Sequence, residues 1–484
     1  PRQASAVAGY RRRLAEGLEQ NIALVQAKGL IGLRRAGVDY RDITRQVALF
    51  GVQNRDNWGG GLTSLTALAT LVPHLGEETA HFALYQGAVR VAEDCAGRPP
   101  RRERQPLDTE DVPLDTLKRW LLSWTEVRHR DAAERTLLTA MRGGADPAQL
   151  CDLLCTAATE RFYADGGHVL DFTNKAMELL DIIGWEYAPD VLPTVLGQLV
   201  SARGGEEMSH WRSPIDLVGP LRESGEELPA LLREGAGKSW DDVRALGDAL
   251  LGGQPLEILR ALREAIREGA RPEQLSKALC YAAAMRVARF GPSNEIGDWV
   301  TVLHTFTHCN ALHQAVRRSP SPGVTRGVFA GAMSVYADRF LNVPPARLPG
   351  ERDSLDAEPR GAGELLERFL EALDGQQKTP VAARAVARYL ELGHPLPPLW
   401  DTLARAAVRE DADFHTLQML EAGLRQSQEW EGQPEAAQIL IAVARYLAAH
   451  SPTQRARLQT AQIALRLHRG ESLYESEEAE GAAP

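Results

Sequence analysis

The sequence predicts an all-α protein, and three observations carry that reading. Apolar residues recur at i, i+3, i+4 and i+7, as in ALREAIREGA (261–270) and AQIALRLHRG (461–470). No segment alternates as a half-buried strand would, and runs of Val, Ile or Thr are few beside Leu, Ala, Arg and Glu. Self-comparison finds four segments with one order of features: an amphipathic helix ending at Gly, a turn, a second helix, a polar loop holding an Asp, a third helix and a fourth. The expected architecture is four divergent helical-hairpin repeat units forming a solenoid or a closed α/α toroid-like bundle, each unit burying a face that it cannot bury alone.

In unit one (1–95) the first helix ends near Gly37, the second is YRDITRQVALFGVQ, and the loop holds Asp56. LTSLTALATL and HFALYQGAVRVAED complete it. Unit two (96–202) runs through Gly144, PAQLCDLLCTAATERF, Asp165, HVLDFTNKAMELLD and VLPTVLGQLVSA. Unit three (203–342) runs through Gly269, PEQLSKALCYAAAMRVARF, a longer loop with Asp298, HTFTHCNALHQAVRR and TRGVFAGAMSVYADRF. Unit four (343–470) runs through Gly393, PLPPLWDTLARAAVRE, Asp413, HTLQMLEAGLRQ and AQILIAVARYLAAH. Breaks rich in Pro, Gly and charge are expected at 96–113, 203–239 and 343–362. Residues 471–484 read as an acidic disordered tail, and the four units as one integrated domain.

Composition narrows the function. At 44% hydrophobic and 25% charged, the 484 residues are globular rather than disordered, and no apolar run is long enough to span a membrane. A net charge of −10, about half of it from Glu471, Glu475, Glu477, Glu478 and Glu480, argues against a nucleic-acid partner held through phosphates. The five cysteines fit no disulfide framework and read as small buried hydrophobes. With no signal peptide at Pro1, the expected compartment is the cytoplasm. GxSxG, HExxH, P-loop and Rossmann motifs are missing, and no pair of ExxH segments reads as the ferritin-like kind.

Three of the twelve histidines occupy one place in the repeat frame: His168, His304 and His415 each open the third helix of units two, three and four. If the units curve around an axis, the three imidazoles meet there, and imidazole is the commonest ligand of Zn, Fe, Cu and Ni. His308 follows His304 at i+4, on the same face, whereas His313 at i+9 lies about 180° away. Asp171 and Lys175, at i+3 and i+7 from His168, share its face. Asp171 suits a ligand, an orienting carboxylate or a catalytic group. Lys175 suits a base of lowered pKa or a carbamylated ligand. Tyr163, Trp185, Tyr187, Trp211 and Trp299 flank the loops, and with Trp58 offer an aromatic lining for a substrate. In unit one the equivalent position is Gly60 or Gly61, within WGGG (58–61), which leaves room for substrate or O2.

The combination of GGHVLDFTNKAMELL (166–180), LHTFTHCNALHQAVR (303–317) and EDADFHTLQMLEAG (410–423) in a helical chain of this size resembles the questin oxidase-like family, over about residues 10 to 470. The resemblance implies an oxygenase of aromatic polyketide or quinone-like substrates, using O2 and non-haem iron held by histidines with a modified lysine. By position it matches His168, His304 and His415, with Lys175 the candidate for the lysine. It also implies an electron-transfer partner of the Rieske-like kind. The chain departs from the family where a histidine opens the first unit's third helix, here Trp58-Gly59-Gly60-Gly61, and where a second histidine follows in unit two, here Asp171-Phe172. Two other readings fit the same residues: a helical-repeat scaffold without catalysis, and a zinc-dependent hydrolase or lyase.

Overall fold

The computed structural model describes residues 2–109, 111–376 and 378–471, so the acidic tail lies outside the described residues except for Glu471. Every regular element among the described residues is helical. The first helices of the four segments are Ala23–Arg35, Arg130–Arg142, Pro255–Glu268 and Thr379–Glu391. The second are Tyr40–Gln53, Pro147–Thr159, Pro272–Ala288 and Leu396–Val408, where the periodicity places them.

All four junctions between these helices are built alike. Gly37, Gly144, Gly269 and Gly393 take positive φ angles of 79°, 83°, 114° and 69°. The next N–H in each case, on Val38, Ala145, Ala270 and His394, donates to the carbonyl of Leu33, Ala140, Ala265 and Tyr389. That bond closes a helix end whose last carbonyls would otherwise lack donors. Two residues past each glycine stands the N-cap of the next helix: Asp39, Asp146, Arg271 and Pro395. At Gly144 an added Cβ meets nothing within 4 Å, so the cost of Gly144→Ala is the left-handed backbone alone. A loss of about 1–2 kcal/mol is expected in urea denaturation, and an unchanged midpoint would contradict the geometry.

Several boundaries differ from the sequence expectation. An additional helix precedes each first helix: Arg2–Glu19, Leu114–Glu126, Val218–Gly235 with Val243–Leu250, and Ala362–Asp374. The break expected at 203–239 is thus largely helical, because Leu221, Leu228 and Leu231 bury one stripe despite Pro229. Asp298 lies in the first turn of a helix, not in a loop. The apolar period of Trp299, Val302 and Leu303 carries Ile296–Arg318 back beyond the expected start, and His304 sits in its third turn.

The third helices, Gly60–Leu71, His168–Ile183, Ile296–Arg318 and Phe414–Glu429, pack on one another in a closed order. The first touches the second, the second the third, the third the fourth, and the fourth the first. Gly60–Leu71 carries no charged side chain because it is buried on nearly every side. Its Thr63, Ser64 and Thr66 hydroxyls donate to carbonyls four residues back. A single apolar core runs from Leu14 to Ala464 around this group and contains all five free cysteines.

Candidate metal centre

The His168, Ile296 and Phe414 helices run in the same direction, as their cross-contacts show. Gln418, three residues past His415, donates to Asp171, three residues past His168, at 2.6 Å. Glu178 and Gln314, ten residues past His168 and His304, both bond Arg425, ten past His415. Equivalent positions therefore share a level, and the three histidines share the topmost one. Their ligand atoms all lie within 4.8 Å of one another.

His168 Nε2 and His304 Nε2 are 3.1 Å apart with rings at 79°. Two imidazoles bound at about 2.0–2.1 Å to one tetrahedral ion stand about 3.3 Å apart, so little movement separates this arrangement from a ligating one. His415 completes the group, its ring centroid 4.8 Å from His304 and 5.7 Å from His168. Asp413, the N-cap of its helix, accepts from His415 Nδ1 at 3.0 Å, which leaves the buried Nε2 without a partner. A carboxylate behind an imidazole is the usual orienting device of a histidine ligand. Burial and the neighbouring imidazoles push His304 down to about 3, and burial lowers His168. Both rings are thus neutral at pH 7, the form that binds metal. The donor set fits a divalent ion of the Zn or Fe type.

Aromatic rings enclose this level. His168 stacks on Phe172 at 5.2 Å, and Phe414 lies 3.9 Å from His415 and 5.9 Å from His168. Phe414 also fills the place expected to be open beside unit one. A Cβ on Gly60 would meet its Cδ1 at 2.8 Å, so this glycine makes room for a phenyl ring rather than for substrate or O2.

The loop before His168 concentrates backbone strain. Tyr163, Asp165, Gly166 and Gly167 all take positive φ, two of them non-glycine, immediately ahead of the first ligand candidate. An added Cβ on Gly167 would strike Tyr163 and His308 at 2.8 and 2.9 Å, so only glycine lets the loop seat against the Ile296 helix.

The remaining candidate residues are distributed otherwise. His308 lies outside the three-histidine group. Its Nδ1 faces the Gly167 carbonyl at 3.4 Å, its ring stands edge-on to Tyr163, and burial pushes it down to about 4. Asp171 orients no imidazole, since Asp413 does so; it accepts from Gln418, and burial pushes its carboxyl up to about 6 against the pull of Lys175. Lys175 is neither a low-pKa base nor a neutral amine open to carbamylation. Its Nζ is buried between Glu178 and Glu421, each at 2.6 Å, and these carboxylates override burial and raise its pKa. Trp58 is a core residue whose indole N–H donates to Thr63. Trp299 is core as well, packed on Phe290, Tyr446 and His450. Of the expected aromatic lining, Tyr163 and Trp211 alone reach the cavity beside the histidines.

A second group, Glu273, His313 and Glu429, has ligating atoms close together. Arg317 already bridges its two carboxylates, at 3.5 and 2.7 Å, and supplies the positive charge that an ion would bring. Sequence reasoning passed over Asp413 as a ligand-orienting residue, although its place two residues before His415 was visible. Nothing local marked Phe414 as the ring that closes the first-unit position. No family model, curated protein or solved structure matches the chain.

Proposed function

We propose that this chain is a metal-dependent enzyme, an oxygenase using non-haem iron and O2 on an aromatic or quinone-like substrate, with His168, His304 and His415 as the ion's ligands. The observation that supports it most is the meeting of three imidazoles from three helices, with one Nε2 freed by a carboxylate on its opposite nitrogen. The reading includes four divergent copies of one unit, supported by the matching glycine junctions and the closed order of third helices. A place in the questin oxidase-like family, a Rieske-like electron donor and a cytoplasmic setting belong to the same proposal. Among the described residues no helix is long and apolar enough to cross a membrane.

When bound, iron in such a site supplies dioxygen activation and polarisation of a substrate oxygen. Asp413 holds the His415 tautomer, and the Phe172 and Phe414 rings pack against His168 and His415. Asp171, one turn along from His168 with its carboxyl pushed up to about 6 by burial, is the candidate acceptor for a phenolic proton.

Metal analysis of purified protein by plasma mass spectrometry tests the proposal, and about one iron per chain is expected, lost in His304→Ala. Zinc lost in the same way would replace the oxygenase by a hydrolase or lyase, for which the all-imidazole donor set serves equally. No metal, even after anaerobic addition of Fe(II), would overturn the enzyme reading in favour of a helical scaffold.

A further inference from the structure

A cavity of about 480 Å³ opens beside the histidine level, within the size range of small-molecule sites. Tyr163, Met208, Trp211 and Ala337 give it apolar and aromatic walls. The Tyr163 and Trp211 rings stand nearly parallel, 23° apart, with centroids at 6.5 Å. Gly166 separates the cavity from the histidines; a Cβ there would lie 3.9 Å from His304 Nδ1.

Asp165, Arg203 and His210 also line the cavity at its exposed side, and one polar group differs from them in being buried. Asp338 is 4% exposed, and its Oδ2 has no hydrogen-bond partner. Thr305 hydrogen-bonds the carboxyl group, and Tyr163 Oη lies 3.3 Å from Thr305 Oγ1, so contacts along the same wall hold the side chain in place. Arg286 does not neutralise it at contact distance, because its guanidinium donates to the Val335 and Leu251 carbonyls. A buried carboxyl oxygen left unpaired costs free energy that a ligand can recover.

We propose that this cavity is a ligand site distinct from the metal centre, which holds a small aromatic molecule by a hydrogen bond from the Asp338 carboxyl to the ligand's carbonyl oxygen. Burial supports the donor role. It pushes the carboxyl up to about 8, so at neutral pH the group keeps the proton that a carbonyl accepts. The proposal does not depend on which ion the histidines hold.

Acetophenone and α-methylstyrene test it, since they share a shape and differ in C=O against C=CH2. By isothermal titration at pH 6.5, acetophenone is expected to bind about tenfold more tightly, the effect of one buried hydrogen bond. At pH 9.5 the ionised carboxyl has no proton to donate, and the preference is expected to vanish. Asp338→Asn should keep the preference at both pH values through its amide N–H, and Asp338→Leu should abolish it at both. Dialysis against EDTA should leave it intact, since the carboxyl and not an ion reads the carbonyl. Equal binding of the two probes, binding of neither, a preference that survives in Asp338→Leu, or one removed by EDTA would each overturn the assignment. The pH response of the asparagine variant keeps the test decisive if the leucine variant fails to fold.

Discussion

Asp338→Asn is expected to stabilise the protein at pH 7 by on the order of 4 kcal/mol, an unusual direction for a change in a buried residue. Burial raises the native carboxyl to about 8, while Thr305 and Arg286 lower it only in part. In the unfolded chain the same group titrates near about 3.9. Between these two values the native state binds the proton and the unfolded state does not, so stability falls as pH rises through that window. Tyr163 and Cys309 also face the group, and both resist ionisation there, so neither compensates it in this range. The amide carries no such proton, and its advantage should shrink to about 1 kcal/mol at pH 4.5. Urea denaturation of both proteins at pH 4.5, 7 and 8.5 measures this; a stability difference that does not change with pH would contradict it.

Lys175→Met should have the opposite effect, destabilising by about 3–5 kcal/mol at pH 7, because it strands buried charge. Glu421 is fully buried and Glu178 nearly so, and both bond Lys175 and Arg425. With the ammonium gone, Arg425 alone faces two carboxylates in the middle of the bundle. Salt should change the loss little, since these groups lie out of reach of screening ions. The double variant Lys175→Met/Glu421→Met should recover much of the loss by restoring one cation to one anion. Denaturation of the single and double variants measures both effects. A single variant as stable as the parent would contradict the buried pairing.

The helices were legible in the sequence to the extent that their signals are local. Tyr40–Gln53 was readable from its 3.6-residue period, and the four glycine stops from their place after amphipathic runs. Val218–Gly235 was not, because Gly and Pro within it mimic a linker while its burial depends on the Pro255–Glu268 helix that it packs against. The start of Ile296–Arg318 was displaced for a similar reason: Gly297 and Asp298 in its first turn look like loop until Trp299 is seen to be buried.

The site divides in the same way. His168, His304 and His415 were expected at matching places of one frame, and the structure brings their ligand atoms within 4.8 Å of one another although His304 lies in the third turn of its helix. Which side chain touches which between these helices was not legible in the sequence. Lys175 has the same spacing from His168 whether it meets a ligand or a carboxylate, and only the approach of the Phe414 helix placed Glu421 beside it. Asp338 carries no motif; its character comes from burial by segments remote in sequence, with Thr305 and Tyr163 beside it in the same wall. The sequence by itself determined the helical class, the junctions and the three aligned histidines, all products of local periodicity and capping. Tertiary structure alone decided which charges are paired, which carboxyl stays protonated and where the cavity opens, because these depend on distances and solvent exclusion between helices far apart in the chain.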